Sequence, residues 1–126
     1  MFHILVVDDD KNTRQLIKAV LETENYIVIG ATDGEDALKV LDRSHIDLVI
    51  LDVMMPKMDG YEFTEILRRV QNELPILMVS AKQLPADRNK GFIVGTDDFM
   101  TKPFDEEELL LRVKALLRRA KIVNEH

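Results

Sequence analysis

The stretch ILVVDDDKN, residues 4–12, joins four consecutive apolar residues to three aspartates. An apolar run without polar alternation is typical of a strand that is buried on both faces, as parallel strands usually are. Adjacent carboxylates repel one another, since two unit charges about 4 Å apart cost roughly 4 kcal/mol at an effective dielectric of 20. The aspartate triplet therefore indicates either a well-hydrated position or a nearby cation.

Similar apolar runs recur along the chain and alternate with longer segments of helical periodicity. This alternation is typical of a parallel sheet that is covered by helices. The sequence therefore predicts a single α/β domain, doubly wound, with five parallel strands. The predicted strands are residues 4–7, 26–31, 48–51, 76–79 and, more weakly, 98–100.

Helical periodicity places apolar residues on one face of each predicted helix. The fourth helix is expected to be the least stable, because Asn89 and Gly91 lie inside it and a glycine costs about 1 kcal/mol relative to alanine. The predicted buried residues are Leu16, Ile17, Val20 and Leu21 in the first helix, Ala37, Leu38 and Leu41 in the second, Phe63, Ile66, Leu67 and Val70 in the third, and Leu109, Leu110, Val113, Leu116 and Leu117 in the last.

The composition sets limits on the class of protein. The chain has 126 residues, of which 46% are hydrophobic and 32% charged, and its apolar runs are far shorter than a membrane span. With no signal peptide visible, we expect a cytoplasmic location and no membrane partner. The absence of cysteine excludes disulfides and thiolate metal sites, and the net charge of -6 argues against direct binding of this segment to nucleic acid.

Polar side chains follow four of the predicted strands. In an open α/β sheet, ligands bind at the carboxyl ends of the strands, so these side chains are expected at one edge. Carboxylates, a hydroxyl and a lysine together suit a hard divalent cation and phosphate oxygens, with Mg²⁺ as the expected ion and Mn²⁺ as the alternative. Asp10 is instead predicted to cap the following helix. The residues at the strand ends are Asp8, Asp9, Asp52, Ser80 and Lys102.

These residues, in this order, resemble the receiver domain of two-component response regulators. The resemblance covers about His3 to Arg119 and rests on four fragments: the acidic pair at 8–9, LDVMMPKMDG at 51–60, SAK at 80–82 and GTDDFMTKPF at 95–104. It implies a flavodoxin-like fold with strand order 2-1-3-4-5. It also implies a receiver domain at residues 1–120, with residues 121–126 as the start of a linker.

The resemblance implies a role for each residue of the acidic edge. Asp52 would accept a phosphoryl group from a sensor histidine kinase, so the domain would be a phosphoacceptor that assists its own phosphorylation and dephosphorylation rather than an enzyme. Asp9, Asp52 and the backbone carbonyl of Met54 would bind Mg²⁺, with Asp8 acting mostly through bound water. Lys102 would pair with Asp52 and then hold a phosphoryl oxygen, and a cis peptide bond before Pro103 is implied by the same analogy.

The resemblance also implies a switch. Ser80 would donate its hydroxyl to the phosphoryl group, and Phe99 would follow it inward as the switch aromatic. Phe99 stands where a tyrosine is frequent in the family, so no ring hydroxyl can form a hydrogen bond there. Ser80 stands where a threonine is usual and keeps the hydroxyl. Neither difference removes the phosphoacceptor chemistry.

A set of charged residues resembles the dimer face of OmpR/PhoB-like winged-helix transcription regulators. Across a twofold axis the expected pairs are Arg88 with Glu108, Asp98 with Arg112, and Asp97 with Arg119. This predicts a homodimer on phosphorylation and a C-terminal DNA-binding domain that this chain lacks. Three alternatives stay open: a solvated charged surface, a stand-alone receiver that signals by binding a partner protein, and an interaction module that is independent of phosphorylation.

Other classes of phosphate-handling protein fit the sequence less well. A haloacid-dehalogenase phosphatase needs an acid two residues after the nucleophile, where this chain has Met54, and no glycine-rich P-loop is present. Flavodoxin-like cofactor binding would place hydroxyls and glycines after the first strand, where this chain has acids. The histidines His3, His45 and His126 show no metal-ligand spacing and are expected to be structural or on the surface.

Overall fold

The computed structural model of the chain describes residues 1–82 and 84–125, in which strands and helices alternate. Each strand begins or ends within one residue of its predicted boundary. The strands are β1 (His3–Val7), β2 (Ile27–Ala31), β3 (Leu48–Asp52), β4 (Ile76–Ser80) and β5 (Asp98–Thr101). The helices are α1 (Lys11–Glu22), α2 (Gly34–Arg43), α3 (Gly60–Val70), α4 (Pro85–Val94) and α5 (Glu106–Glu125).

The five strands form one parallel sheet in the order β2-β1-β3-β4-β5, which confirms the predicted fold. The register sets the strand ends level with one another. Asp52 at the end of β3 lies opposite Val79, and Ser80 at the end of β4 lies opposite Thr101. The polar residues that follow the strands therefore reach the same edge of the sheet.

Both faces of the sheet are buried, which explains why the strands lack polar alternation. Successive side chains of a strand point to opposite faces, so each strand supplies residues to two apolar layers. Leu5 and Val7 pack in the layer beneath α2 and α3, whereas Ile4 and Val6 pack in the layer beneath α1 and α5. The sheet thus lies between two helical layers, as the sequence predicts.

Aspartates cap the N-terminal ends of four of the described helices, and the one that caps α5 is Asp105. Asp10 accepts hydrogen bonds from the backbone N–H of Asn12 at 3.2 Å and from the hydroxyl of Thr13 at 2.7 Å, so it caps α1 as predicted. These bonds, led by the one from Thr13, lower the pKa of Asp10. Asp33 and Asp59 cap α2 and α3 in the same way. The third aspartate of the opening stretch therefore serves the helix and not the acidic cluster.

Two residues that were predicted to be buried are exposed. Leu16 is 45% exposed because the apolar stripe of α1 that contacts the sheet is narrow and is filled by Ile17, Val20 and Leu21. Val70 is 73% exposed because it is the last residue of α3, where the chain leaves the helix. In both cases the helical spacing predicted the correct face of the helix. The part of that face that is buried is narrower in α1 and shorter in α3 than predicted.

The last two helices differ in how they pack. Only Gly91 of α4 is buried, which agrees with the prediction that this helix is weakly held. α5 continues through Glu125, so residues 121–125, which were predicted to begin a linker, are helical. His126 and Gln83 lie outside the described residues. Within the described ranges, no helix has the length and apolar character that crossing a membrane requires.

Candidate functional site

The carboxyl edge of the sheet brings three aspartates together. Asp52 is the last residue of β3, and Asp8 and Asp9 follow β1 directly. Carboxylate oxygens from all three residues lie within 4.8 Å of one another. Asp8 and Asp52 are buried while Asp9 is exposed, so the cluster opens to solvent on the side of Asp9. The structure therefore confirms that these three predicted residues share one site.

Lys102 reaches the same cluster from the segment after β5. Its Nζ lies 2.9 Å from Oδ2 of Asp8 and 3.6 Å from Oδ1 of Asp52. The sequence predicts a pair between Lys102 and Asp52; the structure adds a shorter hydrogen bond to Asp8. The lysine therefore bridges the two buried carboxylates. The peptide bond between Lys102 and Pro103 is cis, as the resemblance implied.

The burial of Asp52 makes its negative charge costly. Burial, followed by the neighbouring charge of Asp8, raises the pKa of Asp52 from 3.8 to about 6, although Lys102 and the backbone N–H of Met54 oppose the shift. Burial lowers the pKa of Lys102, but its hydrogen bond to Asp8 and the charge of Asp52 outweigh this effect and raise it overall. One lysine therefore does not neutralise the acidic cluster, and the cluster suits a cation of higher charge.

The residues present fit a hard divalent cation. All three carboxylates supply oxygen donors, which Mg²⁺ prefers, and the exposed side at Asp9 leaves room for the waters that Mg²⁺ retains. The backbone N–H of Met54 donates to Oδ1 of Asp52 at 3.3 Å, so the backbone of the predicted carbonyl ligand lies beside the cluster. Coordination by the Met54 carbonyl itself stays a prediction.

Two further residues hold the site in place. Gly60 approaches the end of β3 so closely that a Cβ there would lie 2.6 Å from the carbonyl oxygen of Asp52, and its N–H donates to Val53 at 2.8 Å. Arg14 of α1 donates from Nη1 to the backbone carbonyl of Asp8 at 2.7 Å. The sequence reasoning placed Gly60 in the turn after β3 but missed Arg14, for which only its position one turn after the Asp10 cap could have served as a signal.

The two predicted switch residues are buried. Ser80 is fully buried, and its Oγ accepts a hydrogen bond from the N–H of Lys82 at 3.0 Å. The ring of Phe99 is 1% exposed and packs so closely on Gly91 that a Cβ at Gly91 would lie 3.2 Å from it. The Arg88 guanidinium lies 5.8 Å from the centroid of that ring. The ring thus already occupies an inward position, and its movement on phosphorylation stays a prediction.

Several charged residues of the predicted dimer face pair within the chain. Arg112 of α5 donates from Nη1 to both carboxylate oxygens of Asp98 at 2.9 Å and from Nε to Glu108 at 3.1 Å. These bonds, led by the one to Asp98, raise the pKa of Arg112. Two of the predicted intermolecular partners, Asp98 and Arg112, therefore already form a pair inside one chain.

Asp97 is held by a different partner from the one that was predicted. Its Oδ2 accepts from Nη2 of Arg68 at 2.8 Å and from the N–H of Ile76 at 2.8 Å, which ties the start of β5 to α3 and β4. Arg119 is exposed and lines a small cavity of about 130 Å³ together with Asp97. The structure therefore assigns Asp97 an internal role, and pairing of Asp97 with Arg119 across a dimer stays a prediction.

Comparison with known proteins identifies the family. Residues 4–114 match the model of the response regulator receiver domain. The chain is 48% identical over 119 residues to the alkaline phosphatase synthesis transcriptional regulatory protein PhoP of Bacillus subtilis, covering 94% of this chain and 50% of that protein. It is 46% identical over 120 residues to the transcriptional regulatory protein CpxR of Escherichia coli, covering 95% and 51%.

A solved structure agrees. The receiver domain of the Francisella response regulator 1452 superposes with a TM-score of 0.89 and 35% sequence identity, over 94% of this chain and 98% of that one. The chain therefore belongs to the response-regulator receiver family and is the receiver domain of a two-component response regulator. It spans about half the length of the curated relatives that it matches.

Proposed function

We propose that Asp52 accepts a phosphoryl group from a sensor histidine kinase and that this modification controls transcription through dimerisation. The observation that carries the proposal is the placement of Asp52: a buried carboxylate, with its pKa raised to about 6, facing two further acids and a lysine. Perturbed titratable groups of this kind concentrate at functional sites.

The proposed reaction is an in-line displacement at phosphorus. An oxygen of Asp52 attacks the phosphorus of a phosphohistidine, the P–N bond breaks, and the imidazole leaves with the electron pair and takes up a proton. The product is an acyl phosphate on Asp52. Carboxylate attack on a phosphoryl group brings anions together, so positive charge and positioning account for most of the rate. The chain assists only its own phosphorylation and dephosphorylation and is not otherwise an enzyme.

Positive charge would come from two sources. Mg²⁺, or Mn²⁺ in its place, would be held by Asp9, Asp52 and the Met54 carbonyl, with Asp8 acting mostly through water, and supplies charge opposite the phosphoryl oxygens when bound. Lys102 supplies the second positive charge from 3.6 Å away and has Asp8 as its resting partner. On phosphorylation we expect Lys102 to turn from the carboxylates to a phosphoryl oxygen.

The signal would then pass to the face formed by α4, β5 and α5. The Ser80 hydroxyl now accepts a hydrogen bond from the N–H of Lys82. On phosphorylation it would give up this bond and donate to the phosphoryl group. Such a shift changes the space beside Phe99 and biases the weakly held α4 toward a second arrangement.

Dimerisation on this face would couple the switch to DNA. Ile93 is 84% exposed and Leu111 is 60% exposed, so α4 and α5 present apolar surface beside the charges of Arg88, Glu108 and Arg119. Because curated relatives of about twice the matched length are transcriptional regulatory proteins, we propose an OmpR/PhoB-like regulator whose DNA-binding domain lies beyond this chain. The same exposed face could instead bind a different protein, which is the stand-alone alternative.

Incubation with Mg²⁺ and acetyl phosphate tests the proposal, followed by intact-mass measurement and size-exclusion chromatography. We expect one added phosphoryl group and a shift to the dimer. The group should be absent in Asp52→Asn and present in the control Asp42→Asn, which removes an exposed carboxylate of α2. No addition, or addition that persists in Asp52→Asn, would refute the phosphoacceptor site. Addition without dimerisation would keep the chemistry and favour the stand-alone alternative.

A further inference from the structure

The opposite edge of the sheet carries a second cluster of potential ligands. His3 is the first residue of β1, and His45 and Asp47 lie in the segment between α2 and β3. Nε2 of His45 lies 2.8 Å from Oδ1 of Asp47, and Nδ1 of His3 lies 3.9 Å from Oδ2 of the same carboxylate. The rings of the two histidines are 6.3 Å apart between centroids and inclined at 74°. Two imidazoles therefore flank one carboxylate.

One ring nitrogen of His3, Nδ1, is buried without a hydrogen-bond partner within residues 1–82 and 84–125. Buried polar atoms are nearly always hydrogen-bonded, and an exception calls for a reason such as a missing ion. The neighbouring Asp47 is not that partner, because its Oδ2 lies 3.9 Å away; Oδ2 accepts the backbone N–H of His3 at 2.7 Å and Oδ1 faces His45, so each oxygen keeps a lone pair for a further ligand. The unpartnered nitrogen thus points to a ligand rather than to a local hydrogen bond.

We propose that His3, His45 and Asp47 form a binding site for a divalent transition-metal ion of intermediate softness, with Zn²⁺ as the representative. Neutral imidazole nitrogens and a carboxylate oxygen are ligands that Zn²⁺ takes readily, and water can complete a tetrahedral site. The acidic cluster at the other edge offers oxygen donors alone and suits Mg²⁺ instead. The two sites therefore differ in both location and metal preference.

The ligand atoms of His3, His45 and Asp47 do not all lie within 4.8 Å of one another, so metal binding requires a side-chain movement. With Zn–N distances of 2.0–2.1 Å and a tetrahedral angle, two coordinating imidazoles have centroids about 5 Å apart. The observed separation of 6.3 Å requires the rings to approach by roughly 1 Å. The His45 side chain is 78% exposed and can make most of this movement by rotating its ring. His3 and Asp47 are more firmly placed, since each backbone N–H is hydrogen-bonded to the other residue.

The site also has access to solvent. His45 and Asp47 line a cavity of about 560 Å³ that is bordered by Glu73 and by the end of α5 near Lys121. The cavity gives an ion and its water access to His45 and Asp47, whereas His3 does not line it. Binding would tie the start of β1 to the segment that leads into β3. The consequence is added stability of the fold, independent of phosphorylation at Asp52.

Zinc titration of the untagged, metal-free protein tests the proposal. The titration is followed by isothermal calorimetry in the presence of excess Mg²⁺, which occupies the acidic cluster. We expect one Zn²⁺ per chain, a melting temperature that rises with zinc concentration, and a change in the ring nitrogen shifts of His3 and His45 in NMR spectra. His45→Gln should weaken zinc binding by at least about tenfold, since loss of even a supporting neighbour of a metal ligand costs that much.

Two control variants make the test specific. His126→Gln removes the third imidazole of the chain, and Asp9→Asn weakens the acidic cluster; both should retain zinc binding at the new site. Because His45 is exposed, His45→Gln should fold normally, and its phosphorylation by acetyl phosphate should match that of the unmodified chain. Zinc binding that excess Mg²⁺ displaces, that survives in His45→Gln, or that leaves the ring nitrogens of His3 and His45 unshifted would overturn the proposal. So would the absence of binding.

Discussion

Replacement of the phosphoacceptor, Asp52→Asn, should stabilise the metal-free domain. Asp52 is buried beside Asp8, and its pKa is raised from 3.8 to about 6 in the folded state. Each pKa unit corresponds to about 1.4 kcal/mol, so the ionised carboxylate costs about 3 kcal/mol of unfolding free energy at neutral pH. Asparagine removes the charge, and its amide oxygen can still accept from the N–H of Met54. We expect a net gain of about 1–3 kcal/mol, because the attraction of Lys102 is already included in the raised pKa and a buried amide whose N–H groups lack partners gives back part of the gain.

The raised pKa of Asp52 also determines how the free energy of unfolding changes with pH. Between pH 3.8 and about 6 the folded carboxyl of Asp52 keeps a proton that the unfolded chain has released. The folded state thus binds more protons, and this group lowers stability as the pH rises through that window. The cost is absent below the unfolded pKa and complete above the folded one. The stabilisation by Asp52→Asn should therefore be small at pH 4 and largest at pH 7 and above.

Urea unfolding in the presence of a chelator measures the effect. The unmodified chain, Asp52→Asn and the control Asp42→Asn are compared at pH 4.5 and pH 7.5. We expect the control to stay within about 0.5 kcal/mol of the unmodified chain at both pH values. Added Mg²⁺ should make the unmodified chain more stable than Asp52→Asn. The ion stabilises the folded protein by binding to it, and Asp52→Asn has lost one of the carboxylates that would bind it. An Asp52→Asn variant that is less stable at pH 7.5, or equally stabilised at both pH values, would contradict the electrostatic account.

Three further predictions concern the same edge and the switch face. Gly60→Ala should destabilise the domain by about 1–3 kcal/mol in urea unfolding, because the new methyl meets the carbonyl of Asp52; an unchanged midpoint would refute the close approach. Lys102→Met should raise the pKa of Asp52 further, measured by carbon NMR of the carboxyl, and slow phosphorylation on the order of 100-fold. A lower pKa of Asp52 in this variant would contradict an attraction between Lys102 and Asp52. Ile93→Asp should leave phosphorylation intact and weaken dimerisation at least about tenfold in analytical ultracentrifugation, whereas an unaltered dimer would place the interface elsewhere.

The fold could be predicted because its signals are local. Strands buried on both faces must be apolar throughout, so Ile4 to Val7 could be recognised without any knowledge of the partner strands. The capping role of Asp10 follows from its position one residue before the helix. The acidic edge could be predicted as well, since parallel strands bring their carboxyl ends together whatever the sequence between them.

The pairing of charges could not be predicted from the same signals. Lys102 reaches both Asp8 and Asp52, and the preference for Asp8 depends on distances among three strand ends. Asp97 is bound by Arg68, which is 29 residues away in the chain and carries no motif. The cluster of His3 and His45 was missed for a related reason, because only the register of β1 beside β3 places those residues together.

The pair between Asp98 and Arg112 has a consequence for partner choice. Because these charges are already satisfied inside one chain, a dimer that used them would exchange one set of bonds for another and gain little affinity. A related regulator without the complementary charges would leave Asp98 or Arg112 unpaired in the interface. The free-energy cost of that unpaired charge favours the correct dimer over the incorrect one. In a cell that holds many related regulators, this charged face would therefore act mainly as a filter against wrong pairings, while apolar contacts supply the strength.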